Sequence, residues 1–486
     1  SKVYVISDEG TKFHYAEETG VRGRGNASWG FEKKPYRLKF DKKVRLLDAP
    51  AKAKKWTLIS NHSDKTLMRN ILAFEISRRV GAKYTPYCQP VDVIINGEYK
   101  GCYQLCDQIE VDENRVNITE MEPEDTSGEA LTGGYLIEID AYAYEEPEHS
   151  MFYSNKGIPV TIKSPDDDDI TPEQKSYIES YFNRLENRVF ANNFTDDIHG
   201  YRQLFDTESF IKHFIVGEVS GNTDTYWSTY MYKERGDDKI YTGPVWDFDI
   251  AFENDNRTHP ISQYNDFIFA TSDSSAAGGN DMKKFVTRII KEDPATKAQL
   301  KQMWNELRDN GTLSEESLIA YIDQTAALLD QSQKLNFKRW KILDRKFHIT
   351  AHHHPGQVVL GAGGDIHGAD ILALTQNGAA VGHGHDLVEL MGNEEDGLAF
   401  LGKATHDLHQ LVDLLGSQNC GRLVKDQDLV VTVQHLQNLG TLLHTHGDIL
   451  DQCIRIDRQA ILFRQGHNLF PGFLTLQEAV LGILHA

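Results

Sequence analysis

Gly221-Asn222-Thr223-Asp224 and, further on, Trp246-Asp247-Phe248-Asp249 are the stretches whose reading decides the fold. They set three carboxylates and a carboxamide in two short polar islands flanked by aromatic and β-branched residues. An acid between Trp246 and Phe248 is expected where a strand leaves the core, and an unpaired carboxylate buried there would be costly. Such a charge asks for a cation. Between the islands, Tyr226 to Tyr232 and Ile240 to Val245 read as strands joined by the polar turn Glu234 to Asp238. Antiparallel strands on a short turn return the chain to its starting point. Asp224 and Asp247 are therefore expected to be neighbours.

Upstream, Val3 to Ile6, Tyr36 to Phe40, Pro90 to Ile95 and Lys100 to Leu105 read as strands, with Asn96-Gly97 as a hairpin turn. Lys65 to Val80, capped by Asp64 and closed by Gly81, reads as a helix inserted among them. After a strand over Gly134 to Asp140, the pattern becomes mainly helical: Pro172 to Val189, Thr207 to Val219, Ala276 to Glu292, Pro294 to Asp309 and Ser314 to Leu335. The expected fold class is α+β, with a small sheet lobe over about residues 1–125 and a larger helical lobe over about 126–345.

A hard divalent cation such as Mg²⁺, or Mn²⁺ in its place, binds through one or two carboxylates plus waters and substrate phosphates. Asp247 and Asp249 meet that need, their i, i+2 spacing putting both on one face if the segment is extended. Asp224, in a loop after a helix, could accept the proton of an attacking hydroxyl, while Asn222 offers a neutral oxygen or steadies the loop. The plainer reading of Asn222 and Asp224 is a helix C-cap followed by an Asx turn. That of Asp247 and Asp249 is a solvated strand end.

Cations concentrate in Arg22-Gly23-Arg24-Gly25-Asn26 and in Lys33-Lys34-Pro35-Tyr36-Arg37-Leu38-Lys39-Phe40. On a strand, Arg37 and Lys39 share one face, which suits phosphate or a solvated basic surface equally. On the early helix, Arg69 follows Asp64 closely, and Glu75 could hold a strand lysine on the phosphates or simply face solvent.

The formal net charge of −21 argues against nucleic acid as principal partner. Five cysteines without CxxC spacing suggest neither a disulfide framework nor a thiolate zinc site. No apolar run is long enough to span a membrane. The chain opens at Ser1-Lys2-Val3-Tyr4, so an export signal, if any, was removed or lay upstream.

These residues resemble the CotH kinase family, secretory protein kinases of the spore coat with an atypical, pared-down kinase fold. The resemblance spans most of residues 20–345 and rests on seven ordered blocks. They are Arg24-Gly25-Asn26-Ala27-Ser28-Trp29; the Lys33 to Phe40 run; Trp56 with Asn61, Asp64 and Leu67-Met68-Arg69-Asn70; Asn96 to Tyr103; Gly133 to Asp140; Gly221 to Asp224; and Trp246 to Asp249. It implies transfer of the ATP γ-phosphate to Ser or Thr hydroxyls of secreted, cell-surface or spore-coat proteins, with acceptor segments rich in Ser/Thr and basic residues. Asp224 then looks like the catalytic aspartate, with Asn222 beside it, and Asp247 like the metal-binding aspartate with Asp249 as helper. Arg24, Lys39, Arg69 and Glu75 fall on the ATP side.

The chain departs from the family pattern in carrying Asp107 where a Glu often stands, and in offering only Ser228 and Thr229 where a kinase places its second metal-binding Asn. It also departs after Leu343, where a closing amphipathic helix is expected. All 20 tyrosines and all 6 tryptophans precede residue 350, whereas the remainder holds 13 of 20 histidines and only 6 of 51 Lys+Arg. Residues 346–486 read as frame-shifted sequence, as a fused helical domain, or as a metal module built on His383-Gly384-His385, His406 with His409, and His444-Thr445-His446. No function is assigned to them. The whole reads as an ATP- and Mg²⁺-dependent protein Ser/Thr kinase. The alternatives are a non-catalytic coat or surface scaffold and a metal-dependent phosphohydrolase.

Overall fold

A computed structural model describes residues 2–6, 14–16, 19–25, 27–255, 267–268, 279–345 and 480–485. The motifs of the His-rich tail, and the start of the helix expected from Ala276, lie outside these residues. Thirteen strands are described: β1 Lys2–Ile6, β2 His14–Ala16, β3 Thr19–Gly23, β4 Tyr36–Val44, β5 Ala53–Ile59, β6 Cys88–Ile95, β7 Glu98–Asp107, β8 Tyr135–Asp140, β9 Met151–Tyr153, β10 Pro159–Ser164, β11 Ser228–Lys233, β12 Tyr241–Thr242 and β13 Val480–His485. The helices are α1 Arg69–Arg79, α2 Pro172–Phe190, α3 Thr207–Ser220, α4 Gly279–Thr287, α5 Pro294–Asp309 and α6 Glu315–Arg339. A π-turn at Arg288–Glu292 continues α4. The chain is α+β, as expected. None of the described helices is long and apolar enough to cross a membrane.

The strands form two sheets. The first runs β2-β1-β13-β6-β7-β5-β4-β3, and the second β12-β11-β8-β10-β9. In the first, Leu38, Phe40, Trp56, Leu58, Tyr103 and Leu105 alternate onto one face and build a small core of their own. The opposite face, with Cys102 and Cys106, joins α1 and the second sheet in the large core. Asn96 and Gly97, at φ 53° and 78°, make the expected tight turn between β6 and β7.

Three expectations need correction. The early helix begins at Arg69, not Lys65, because Leu67 takes a left-handed φ of 60°. Asp64 still supplies capping chemistry: its Oδ2 accepts the Arg69 N–H and its Oδ1 the Thr66 N–H, both at 2.9 Å. The second part is not simply helical, since β8 to β12 give it its own sheet. β9 and β10 escape a sequence reading because one is three residues long and the other is bounded by Pro159 and Pro165. Finally, the hairpin strands are shorter than expected. β11 starts only after the turn at Asp224, where Trp227 N–H donates to Asp224 O at 2.9 Å. β12 ends at Thr242, where Gly243 at φ 126° and the donor-less Pro244 stop the ladder.

α6 begins against the large core through Leu318, Ile322 and Leu329 and ends on the first sheet. There Asn336 Oδ1 accepts from Lys33 Nζ at 2.8 Å and from the Cys102 N–H at 3.1 Å, and the Trp340 indole N–H donates to Lys100 O at 2.8 Å.

Candidate active site

Asp224 is aimed by the end of α3. Gly221 closes that helix at φ 65° and ψ 34°, a conformation that glycine adopts without penalty. The Asx turn follows: Asn222 Oδ1 accepts the Asp224 N–H at 3.2 Å. The same carboxamide donates from Nδ2 to the carbonyl of Asp247 at 3.1 Å. The cap and turn that the sequence offers as the plain reading are thus the device that links the two acidic islands. Asn222 acts as a positioning residue, its oxygen committed to Asp224.

Asp247 arrives from the other side, and here the extended segment expected from the i, i+2 spacing is absent. Asp247 sits at φ 67°, in the left-handed region that aspartate tolerates better than most residues. Its flanking aromatics explain the turn. Trp246 stacks on Phe74 of α1 with ring centroids 6.0 Å apart, and buried Phe248 donates its N–H to Asn70 Oδ1 of α1 at 2.8 Å. With both neighbours held inward, the Asp247 side chain is left facing solvent. Asp249 Oδ2 accepts from Ser63 Oγ at 3.2 Å, and its carbonyl accepts from Asn254 Nδ2 at 2.8 Å.

The acids feel one another. Asp247 is pushed up to about 7 by desolvation in the cleft, then by the charges of Asp249 and Asp224, with Arg24 opposing. The outer side of Asp247 is open to water, and the neighbouring carboxylates act on it through the cleft. Asp249 is raised as well, by burial first and then by Asp64, while the Ser63 hydrogen bond pulls it down. Asp247 and Asp249 also share a hydrogen bond, as two crowded carboxyls do when one holds a proton.

Arg24 is half-buried, its guanidinium 5.6 Å from the centre of the Trp246 ring, and is the cation acting on Asp247. The other cations expected here are placed differently. Arg69 is buried, paired to Asp64 at 2.5 Å and donating from Nε to Ala251 O at 3.0 Å, so it ties α1 to the loop after Asp249 and is not offered to a phosphate. Glu75 binds Arg79 at 2.9 Å and Arg78 at 3.2 Å on its own helix, and not a strand lysine. Lys33 is sealed under Asn336 and 4.6 Å from the Tyr103 ring centre. Lys39 is exposed opposite Lys55, on the sheet face it shares with Thr57 and Cys106, which is the α1 side.

Among the described residues, no group of three or more His, Cys, Asp or Glu is arranged to hold a metal by itself. Asp247 with Asp249 is a two-carboxylate donor set, which suits a hard cation that completes its shell with water and phosphate oxygens. Ser63, Asn70 and Asn254 brace this set and were not singled out as site residues by the sequence reading. Their signal is local: short polar residues just before α1, at its first turn and just after Asp249.

A family model described as CotH kinase protein matches residues 21–357. The chain belongs to the CotH kinase family. Comparison with curated proteins gave no match. The CotH match contains every candidate residue of this site and stops short of most of the His-rich tail. Two departures from the CotH pattern have a visible consequence. Asp107 accepts the Tyr87 N–H at 3.0 Å and pairs with Arg115 at 3.1 Å, occupying the shorter acid where β7 leaves the sheet. Thr229 is buried and donates to Thr225 O at 2.7 Å.

Proposed function

We propose that this CotH-family chain is an ATP-dependent protein kinase, using Mg²⁺ or Mn²⁺, that phosphorylates Ser or Thr hydroxyls of coat, cell-surface or secreted proteins. The observation that carries this reading is the Asn222 bridge. It sets Asp224, a candidate base, beside Asp247 and Asp249, a candidate cation-holding pair, with Arg24 alongside.

In this reading Asp224 accepts the hydroxyl proton of the acceptor residue as that hydroxyl's oxygen attacks the γ-phosphorus, and the bond from the γ-phosphorus to the β–γ bridging oxygen breaks to release ADP. Asp247 and Asp249 would hold the divalent cation, which supplies neutralisation of phosphate charge when bound. Arg24 favours the ionised form of Asp247 against its acidic neighbours and adds positive charge beside the phosphates. Lys39, exposed on the α1 side of the first sheet, is a sheet cation that could approach the nucleotide. The acidic surface expected from the net charge of −21 favours basic acceptor segments and disfavours nucleic acid.

The test is transfer of labelled γ-phosphate to a Ser-rich basic acceptor, with Asp224→Asn and Asp247→Asn as controls. Each substitution is expected to lower transfer by at least about 10²-fold. A folded protein that binds no nucleotide would overturn the reading in favour of a scaffold. Release of free phosphate without transfer would overturn it in favour of a hydrolase.

A further inference from the structure

Cys88 and Cys106 lie directly opposite each other on β6 and β7. The neighbouring pair decides what that means. Asp107 N–H donates to Tyr87 O at 3.0 Å, and the Tyr87 N–H returns to the Asp107 side chain at 3.0 Å. Tyr87 and Asp107 are therefore a hydrogen-bonded pair, and in an antiparallel ladder such pairs alternate with non-hydrogen-bonded ones. Cys88 and Cys106 occupy the non-hydrogen-bonded position, where Cα atoms approach to about 4.5 Å and side chains come closest. That spacing falls within the range a disulfide spans, from about 4.4 to 6.8 Å. Opposed residues share a face, and both cysteines border the large core beside α1. Each thiol shifts the other's titration, as neighbouring sulfurs do.

We propose that Cys88 and Cys106 are a redox modification site, oxidised to a cross-strand disulfide by thiol exchange with a small-molecule disulfide. The two thiols have different parts. Cys88 is half-buried and reachable, and its thiolate is favoured by the neighbouring Cys106 and by Arg78. Cys106 is buried, and burial holds its thiol well above the usual range. Cys88 therefore attacks first, forming a mixed disulfide and releasing one thiolate of the oxidant. Cys106 then loses its proton and attacks Sγ of Cys88, forming the cross-strand bond and releasing the second thiolate. The protein loses two protons and two electrons, and the small disulfide is reduced to two thiols.

The bond would staple β6 to β7 beside Asp107, where the chain leaves the first sheet. It closes the loop from Gln89 to Leu105, which restricts the unfolded chain. This inference stands apart from the kinase reading and has its own readout.

The experiment incubates the full chain with oxidised glutathione, followed by alkylation and non-reducing peptide mapping by mass spectrometry. The expected product is a Cys88–Cys106 linked peptide, with an unfolding midpoint raised by several degrees over the reduced protein. Cys88→Ser should abolish both effects. Cys106→Ser should trap glutathione on Cys88. If burial at Cys106 keeps that variant from folding, the Cys88→Ser comparison decides alone. A wild-type protein that keeps both thiols alkylatable, stops at glutathionylated Cys88, or links Cys88 to another cysteine overturns the proposal.

Discussion

Asn222 donates to the backbone carbonyl of Asp247 while accepting the backbone N–H of Asp224, so one buried carboxamide fixes the spacing of the two acidic islands. The geometry of the site rests on a residue whose donor and acceptor are both spoken for.

Asn222→Ala removes both bonds and leaves two part-buried backbone groups without that partner, a loss of at most about 1–3 kcal/mol. We expect transfer to fall roughly tenfold to a hundredfold, with nucleotide KM little changed, because the substitution misplaces the acids without removing them. Asn222→Asp should be worse than Ala, since it replaces the donor facing Asp247 O with a fourth negative charge. Steady-state kinetics of both variants check this. An unchanged kcat in Asn222→Ala would refute the positioning role.

Arg24→Gln tests the cation over Trp246. Arg24 pulls Asp247 down against its neighbours, so its removal should let Asp247 rise further. The cation-holding form of Asp247 is ionised, and the acid limb of the kcat/KM profile should move to higher pH. Arg24→Lys should restore part of the shift. An acid limb that stays in place in Arg24→Gln would mean that Asp247 does not govern it.

How much of this was legible beforehand follows from what each residue's role depends on. The meeting of Asp224 with Asp247 was legible, because a hairpin returns the chain regardless of its exact ends. So was the Asn96-Gly97 turn, where local chemistry suffices. The roles of Arg69 and Glu75 were not. Whether an arginine faces a ligand or a backbone carbonyl depends on the loop at Ala251, distant in sequence, and whether a glutamate reaches a strand lysine depends on the competing Arg78 and Arg79 one turn away. The left-handed turn at Asp247 was hidden for the same reason: α1 anchors Trp246 and Phe248, and an i, i+2 pattern carries no sign of that partner.

The crowding of Asp247 predicts a trade between activity and stability. A carboxyl raised in the folded state holds its proton more tightly there, so its ionisation opposes folding. The penalty is absent below its unfolded value of about 4 and complete above about 7. Asp247→Asn should therefore raise the unfolding midpoint at pH 8 without divalent cations, and the gain should shrink steadily as pH falls from 7 to 4. The same variant should be inactive. Thermal melts across that range in a chelating buffer measure it, and a midpoint difference that does not vary with pH would rule the mechanism out.

Arg69→Met should do the opposite, because it leaves Asp64 buried without its cation and frees the loop carbonyl at Ala251. Breaking one side of a buried pair costs about 3–5 kcal/mol, a large share of a typical folding free energy. Lys39→Ala, at an exposed site, should change stability by less than about 0.5 kcal/mol. Its effect, if it approaches the nucleotide, belongs to KM for ATP. Denaturation and nucleotide titration of the two variants separate the structural cation from the candidate ligand-side one.

Gly101→Ala examines the seam where α6 meets the first sheet. Gly101 lies at φ 118°, and an added Cβ would meet Asn336 Oδ1 at 2.6 Å, Lys33 Cε at 2.8 Å and Trp340 Nε1 at 2.9 Å. Those three groups are the polar knot that seats the end of α6, and none can retreat without giving up a hydrogen bond. Gly311 also has a positive φ, of 77°, but open space around its would-be Cβ, so Gly311→Ala carries backbone strain without the clash. The Gly101 variant should lose clearly more stability than the Gly311 variant, by roughly 1–3 kcal/mol, the usual cost of overpacking. Paired urea titrations give the difference, and equal losses would show that the seam yields to the methyl group and does not depend on close backbone approach at Gly101.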